Sequence, residues 1–103
     1  MIKVTVLYPN IPDGHFDVDY YLSHHIPLVQ ERCGEALKRG EIERGITGGE
    51  PGTEPPFRIA GHLVFESTEA MEGSLFRHLA EIMADIPNYT NIQPTVQISE
   101  VLM

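Results

Sequence analysis

Two adjacent histidines, His24 and His25, are the residues of this sequence best suited to chemistry. They lie in the segment 16–29, FDVDYYLSHHIPLV, among tyrosines and just before a proline. An imidazole has a pKa near neutrality, so a histidine in a pocket can take a proton from a ligand or return one. This segment is therefore the candidate site, and its geometry depends on the helix that the segment is predicted to form.

Helical periodicity separates the two histidines. At about 100° per residue, His25 falls in the middle of an apolar arc, whereas His24 falls among polar residues. We expect His25 to point toward the protein interior and His24 to remain in water. The apolar arc comprises Val18, Tyr21, Leu22, Ile26, Leu28, Val29 and Cys33.

A buried His25 needs hydrogen-bond partners, because leaving a buried polar group unpaired costs on the order of 1–3 kcal/mol. Tyr21 lies one turn earlier on the same helix face, and Tyr8 ends the first predicted strand on its apolar side. Pro27 also leaves the Ser23 carbonyl without its helical partner and predicts a kink. In one interpretation His25 donates to a carbonyl or a tyrosine and has a structural role. In the other, His25 is a catalytic proton acceptor or donor, with Tyr21 and Tyr8 as orienting groups.

Other kinds of site have weaker support in the sequence. No group of cysteines and histidines has the spacing of a zinc site, and no glycine motif that binds phosphate opens a helix. A single buried histidine can ligate haem, so His25 as an axial ligand remains an alternative. His62 is predicted to lie on the opposite side of the sheet, at a dimer interface or in solvent. The sequence requires no cofactor and predicts no metal site.

The elements that position these residues follow from hydrophobic periodicity and from the turn residues between them. Asp17 is a suitable N-cap for the first helix, and Ser67 or Thr68 for the second. The predicted strands span 2–8, 41–47, 57–66 and 92–103, and the predicted helices span about 17–37 and about 68–85.

The order of these elements is β-α-β twice, which predicts an α+β fold and one domain over residues 1–103. Right-handed crossovers give a ferredoxin-like βαββαβ plait, with a four-stranded antiparallel sheet and both helices on one face. The first and third strands, which are the most apolar, should be central. The other face is predicted to carry many small or apolar residues, so two copies packed face to face would form a homodimer.

Composition and charge narrow the class of partner. The formal net charge of −8 argues against nucleic acid and against an anionic membrane surface, since both need a basic footprint. No apolar run is long enough to span a membrane, and the N-terminus lacks the layout of a signal peptide. A single cysteine, Cys33, excludes an internal disulfide and is typical of the cytoplasm.

Three segments resemble the EthD family, which is named after ethyl tert-butyl ether degradation. They are FDVDYYLSHHIPLV, FRIAGHLVFESTEAM and DIPNYTNIQPTVQISEV, and the resemblance covers nearly the whole chain. The pattern F-D-x-D-Y-Y-x-x-x-H-x-P-L places His25 at the position of the family's motif histidine.

The resemblance implies a dimeric α/β barrel, in which two plaits pack sheet to sheet, with a pocket between helices and sheet. Proteins with this fold include cofactor-free monooxygenases, isomerases, cyclases and haem enzymes. The expected function is a small homodimeric oxidoreductase-type enzyme, or an accessory protein of a degradative pathway, that binds a small apolar molecule. The alternatives are a non-catalytic binding or scaffold dimer and a haem-binding protein. The resemblance supplies no set of catalytic residues, and fold analogy does not choose the reaction.

Overall fold

The computed structural model describes all 103 residues and has an α+β architecture. Four antiparallel strands form one sheet in the order β2-β3-β1-β4, so the first and third strands are central, as predicted. This is the ferredoxin-like βαββαβ plait. The elements are β1 (Ile2–Pro9), α1 (Val18–Tyr20), α2 (Ile26–Cys33), β2 (Leu37–Arg44), β3 (Phe57–Phe65), α3 (Thr68–Ser74), α4 (Leu79–Ala84) and β4 (Thr95–Glu100).

Short helical turns of other types connect these elements. A π-helical turn, Tyr21–His25, joins α1 to α2, and a 3₁₀ turn, Phe76–His78, separates α3 from α4. Two more 3₁₀ turns, Gly34–Ala36 and Ile86–Asn88, follow α2 and α4. Each of the two predicted helices is therefore a chain of shorter segments.

Three predicted boundaries are wrong. The first helix ends at Cys33 and not near residue 37, because Gly34 takes a φ of 56°, in the left-handed region that favours glycine. The second strand therefore starts early, at Leu37. The fourth strand covers only Thr95–Glu100 because it starts after Pro94, which has no N–H for the sheet, and because Ile92 is buried in the core before it.

The buried core lies between the sheet and the helices and has two parts. The larger part is mostly aliphatic and joins α2 and α3 to the central strands. It consists of Val4, Val29, Cys33, Leu63, Phe65, Met71, Leu75 and Ile82. The smaller part is mostly aromatic and consists of Tyr8, Tyr21, Ile59, Tyr89 and Ile92. No helix combines the length and the apolar composition that crossing a membrane would need.

Candidate functional site

The helical segment that carries the histidines changes type just before Pro27. The side chain of Asp17 caps α1 by accepting a hydrogen bond of 3.1 Å from the Tyr20 N–H, as predicted. The chain then widens into the π turn, in which the Ile26 N–H donates to the Tyr21 carbonyl five residues earlier. Pro27 has no N–H to donate to the Ser23 carbonyl, and the sequence predicts a kink there. A wider turn directly before the proline is another way for the helix to accommodate the missing hydrogen bond. Turns of this type often mark functional sites.

The π turn places the two histidines as the periodicity predicts. His25 is buried, with 5% of its surface exposed, and His24 is exposed. The His24 ring stacks on Tyr20, with 4.6 Å between ring centroids. The expectation fails for Leu22, which belongs to the predicted apolar arc but is 50% exposed.

His25 forms a hydrogen bond with a carboxylate that follows α4. Its Nδ1 atom lies 2.9 Å from Oδ2 of Asp85, whose side chain is 15% exposed. The other oxygen, Oδ1, accepts hydrogen bonds from the Tyr20 hydroxyl at 2.6 Å and from Nδ2 of Asn88 at 3.0 Å. The partner of His25 is thus neither the tyrosine nor the backbone carbonyl considered from the sequence.

The charges of this pair follow from burial and hydrogen bonding. Burial lowers the pKa of His25 below its usual value, and the opposing effect of Asp85 only partly offsets it. Burial raises the pKa of Asp85, but the hydrogen bonds from Tyr20, Asn88 and His25 together bring it below its usual value. At neutral pH, Asp85 is therefore ionised and His25 neutral. The carboxylate accepts from Nδ1–H, which leaves the lone pair of His25 on Nε2.

A cavity of about 330 Å³ lies beside His25, between the helices and the sheet. Eighteen residues line it, fifteen of them hydrophobic, and none is a lysine or an arginine. All three residues selected from the sequence, His25, Tyr21 and Tyr8, are among them. Phe76, Leu79, Met83 and Val96 line the cavity while being 37–54% exposed, so the cavity opens between α4 and β4. Such a cavity suits a small, largely apolar molecule.

The two tyrosines differ in what their hydroxyl groups do. The Tyr8 hydroxyl shares a hydrogen bond of 2.7 Å with that of Tyr89. The Tyr21 hydroxyl has no hydrogen-bond partner in the protein and lies over Gly61 of β3, 3.2 Å from where a β-carbon would be. The one enclosed side-chain polar atom without a partner is Nδ1 of His62, on the other face of the sheet. The unpaired Tyr21 hydroxyl and His25 Nε2 therefore keep contact with the cavity.

The sequence-based prediction missed Asp85, Tyr20 and Tyr89. In the sequence, Asp85 marks only the end of the second predicted helix. Its contact with His25 spans 60 positions along the chain, and no local pattern reports a contact over that distance.

The family of the chain follows from its similarity to solved structures. An EthD-like protein from Ralstonia eutropha JMP134 is 39% identical, with a TM-score of 0.91, and the match covers 99% of this chain and 92% of that one. The chain belongs to the EthD family. An EthD-family protein from Bacillus halodurans C-125 is 20% identical over 99% of both chains, with a TM-score of 0.74. A protein from Arabidopsis thaliana is 14% identical, covers 100% of this chain and 97% of its own, and has a TM-score of 0.72.

The last two likenesses, both below 25% identity, show the shared fold alone. No family model and no curated protein matches the chain. The family resemblance predicted from the sequence is confirmed by the Ralstonia protein, and the details of the site come from this EthD chain's own residues.

Haem is a poor fit to the cavity of this EthD protein. A histidine backed by a carboxylate suits an axial ligand, and His25 meets that condition. However, haem also carries two propionate groups, and no lysine or arginine lines the cavity to pair with them. An uncompensated buried charge is costly, so the lining fits an uncharged apolar molecule better than haem. No group of three or more His, Cys, Asp or Glu side chains is placed to hold a metal ion.

Proposed function

We propose that this EthD protein binds a small apolar molecule between its helices and its sheet, and that His25 removes a proton from that molecule. The observation that carries the proposal is the unpaired Nε2 atom of His25 in an apolar cavity, with Nδ1 held by Asp85 at 2.9 Å. The neutral imidazole is the base, and the Asp85 carboxylate stabilises the imidazolium ion that forms.

Proton removal from a small apolar molecule is a first step shared by isomerases, cyclases and cofactor-free oxygenases. An EthD protein with this step could belong to any of these classes. The oxidoreductase-type enzyme or accessory protein of a degradative pathway that the sequence predicts is compatible with it. Tyr20 and Asn88 are positioning residues, because they hold the carboxylate that orients His25. The competing function is a non-catalytic binding dimer, favoured by the fact that Asp85 already satisfies His25 Nδ1.

The proton-transfer role is tested with 5-nitrobenzisoxazole, a flat apolar probe. When a base removes its ring C–H proton, the N–O bond breaks, and a coloured nitrophenolate is released. We expect the protein to accelerate this elimination and His25→Gln to abolish the acceleration with little change in melting temperature. Equal rates for His25→Gln and the unchanged protein would contradict the proposal. A large loss of melting temperature together with unaltered rates would assign His25 a structural role.

The proposed assembly is a homodimer that packs through the uncovered face of the sheet. Apart from Lys3 and Arg58, the central strands present uncharged side chains on that face, including Thr5, Leu7, Ala60 and His62. The charges of β2, such as Glu43, lie at the edge. Face-to-face packing would bury this surface. Sedimentation at micromolar concentration tests it, and a monomer there would contradict it.

A further inference from the structure

The cavity has a second unpaired polar atom, the hydroxyl oxygen of Tyr21. Tyr21 is 3% exposed, and its ring stacks nearly parallel to the His25 ring, with 5.5 Å between centroids and 15° between planes. A buried hydroxyl without a partner costs free energy. The hydroxyl of Tyr8, in contrast, is already engaged by Tyr89. Tyr21 is therefore the cavity tyrosine whose hydroxyl has no partner in the protein.

Gly61 makes the space that this hydroxyl occupies. Gly61 is in the middle of the central strand β3 and lines the cavity, where glycine weakens a strand and gives no side chain to pack. A β-carbon there would lie 3.2 Å from the Tyr21 hydroxyl and 3.3 Å from Cδ1 of Ile42. A side chain on residue 61 would require the hydroxyl and the Ile42 side chain to give way by a few tenths of an ångström. The central strand thus has a glycine, which is unfavourable in a strand, at the position next to the unpaired Tyr21 hydroxyl.

The protonation state of Tyr21 decides what it can do. Burial raises the pKa of Tyr21 above its ordinary value of 10.0, which is already far above neutrality, with a further contribution from Tyr8. Its hydroxyl is therefore a proton-bearing donor at any physiological pH. His25, with its lone pair on Nε2, is an acceptor. One donor and one base beside an otherwise apolar cavity suit a molecule with an oxygen and an acidic C–H close together.

We infer that the Tyr21 hydroxyl donates a hydrogen bond to a carbonyl oxygen of the ligand, so that the substrate class is a small apolar molecule with an enolisable carbonyl. This inference rests on the proposed function of His25. His25 Nε2 takes the proton from the carbon next to the carbonyl, and the C–H bond breaks. Its electron pair forms a C=C bond, and the carbonyl π electrons move to oxygen. The resulting enolate accepts the hydrogen bond from Tyr21, while Asp85 stabilises the imidazolium.

The step needs no oxidant. If the imidazolium returns its proton to a different carbon, the product is an isomer. If the enolate carbon attacks a second carbonyl of the same molecule and the imidazolium gives its proton to the alkoxide that forms, the product is a ring. Donors placed where negative charge develops on oxygen contribute much of the rate in reactions of this kind, and removing one costs about 100- to 1,000-fold.

A matched pair of probes tests the inference: tetralin, a hydrocarbon, and 2-tetralone, an enolisable ketone of nearly the same shape. Binding is followed by NMR titration of the methyl groups that line the cavity. Exchange of the acidic hydrogens of 2-tetralone for deuterium is followed in deuterated buffer. We expect the protein to bind both and to accelerate the exchange. Tyr21→Phe should bind tetralin equally well, bind 2-tetralone roughly fivefold more weakly, and exchange it about 100-fold more slowly.

Gly61→Ala is the second variant, because it displaces the Tyr21 hydroxyl without removing it. It should also slow the exchange, whereas the control Gly40→Ala should not. A β-carbon on Gly40, in β2, would meet nothing closer than 3.8 Å. If Tyr21→Phe exchanges 2-tetralone as fast as the unchanged protein, the inference is overturned even where tetralin binds and elimination of 5-nitrobenzisoxazole depends on His25. If tetralin does not bind at all, the proposed function itself fails.

Discussion

Two histidine–carboxylate pairs lie on opposite faces of the same sheet, with equal length and different surroundings. His25 Nδ1 meets Asp85 at 2.9 Å on the covered face, and His62 Nε2 meets Glu43 at 2.9 Å on the uncovered face. Asp85 is 15% exposed, and Glu43 is 59% exposed. A distance alone therefore does not distinguish a candidate catalytic pair from a surface contact.

The pairs differ in the nitrogen that each leaves unpaired. In His25 the unpaired Nε2 borders a cavity of about 330 Å³. In His62 the unpaired Nδ1 is enclosed by the protein itself, so no small molecule reaches it. The first pair also has support from Tyr20 and Asn88, whereas Glu43 has His62 as its only side-chain partner. A catalytic base therefore needs both an accessible lone pair and an oriented, desolvated partner.

The largest expected effect is that of Asp85→Asn. The amide can donate to Nδ1, which would favour the tautomer with its proton on Nε2, and it leaves the imidazolium without a counter-charge. We expect elimination of 5-nitrobenzisoxazole to slow by about 100-fold or more. Glu43→Gln makes the same chemical change in the other pair and should leave the rate unchanged. Equal losses in the two variants would mean that the cavity plays no part.

The pH dependence of the elimination rate is the second test of the His25 pair. Only neutral His25 can take a proton, so the elimination rate should fall as the pH drops through the His25 pKa. Since burial lowers that pKa below the usual value of 6.5, the rate should already be at its plateau at pH 7. Below the pKa, each pH unit should cost about tenfold in rate. Rates measured from pH 4 to 8 check this. A midpoint above 6.5 would mean that the interaction with Asp85, and not burial, has the larger effect on the His25 pKa.

Tyr20→Phe is expected to have a smaller effect. Asp85 loses its 2.6 Å hydrogen bond but keeps those from Asn88 and His25, so its carboxylate remains ionised at pH 7 and is less well oriented. The elimination rate should fall roughly fivefold, which corresponds to about 1 kcal/mol. If the variant lost as much activity as Asp85→Asn, Tyr20 would have to act on the ligand directly.

Much of this arrangement could be predicted from the sequence, and the reason is local periodicity. The inward direction of His25 follows from the residues before Pro27, where the helical phase is undisturbed. Tyr21 and Tyr8 at the cavity follow from one helix face and one strand face. The role of Asp85 does not follow, because it depends on how α4 ends relative to α2. The difference between the Tyr8 and Tyr21 hydroxyls depends on Tyr89 and Gly61, which lie far away along the chain.

The smallest expected effect is that of Glu43→Gln on stability. It tests whether the His62–Glu43 pair is only a surface contact. The carboxylate is mostly exposed, so water and salt weaken its interaction with His62, and pairs of this kind contribute about 0–1 kcal/mol. The glutamine can keep a hydrogen bond to the same ring nitrogen. We expect the free energy of unfolding, measured by urea denaturation at pH 7, to change by less than about 0.5 kcal/mol. A larger loss would mean that the face-to-face packing of two sheets extends over Glu43 at the edge of the sheet and buries the pair there. Repeating the measurement at several protein concentrations separates these cases, because only an effect on the dimer depends on concentration.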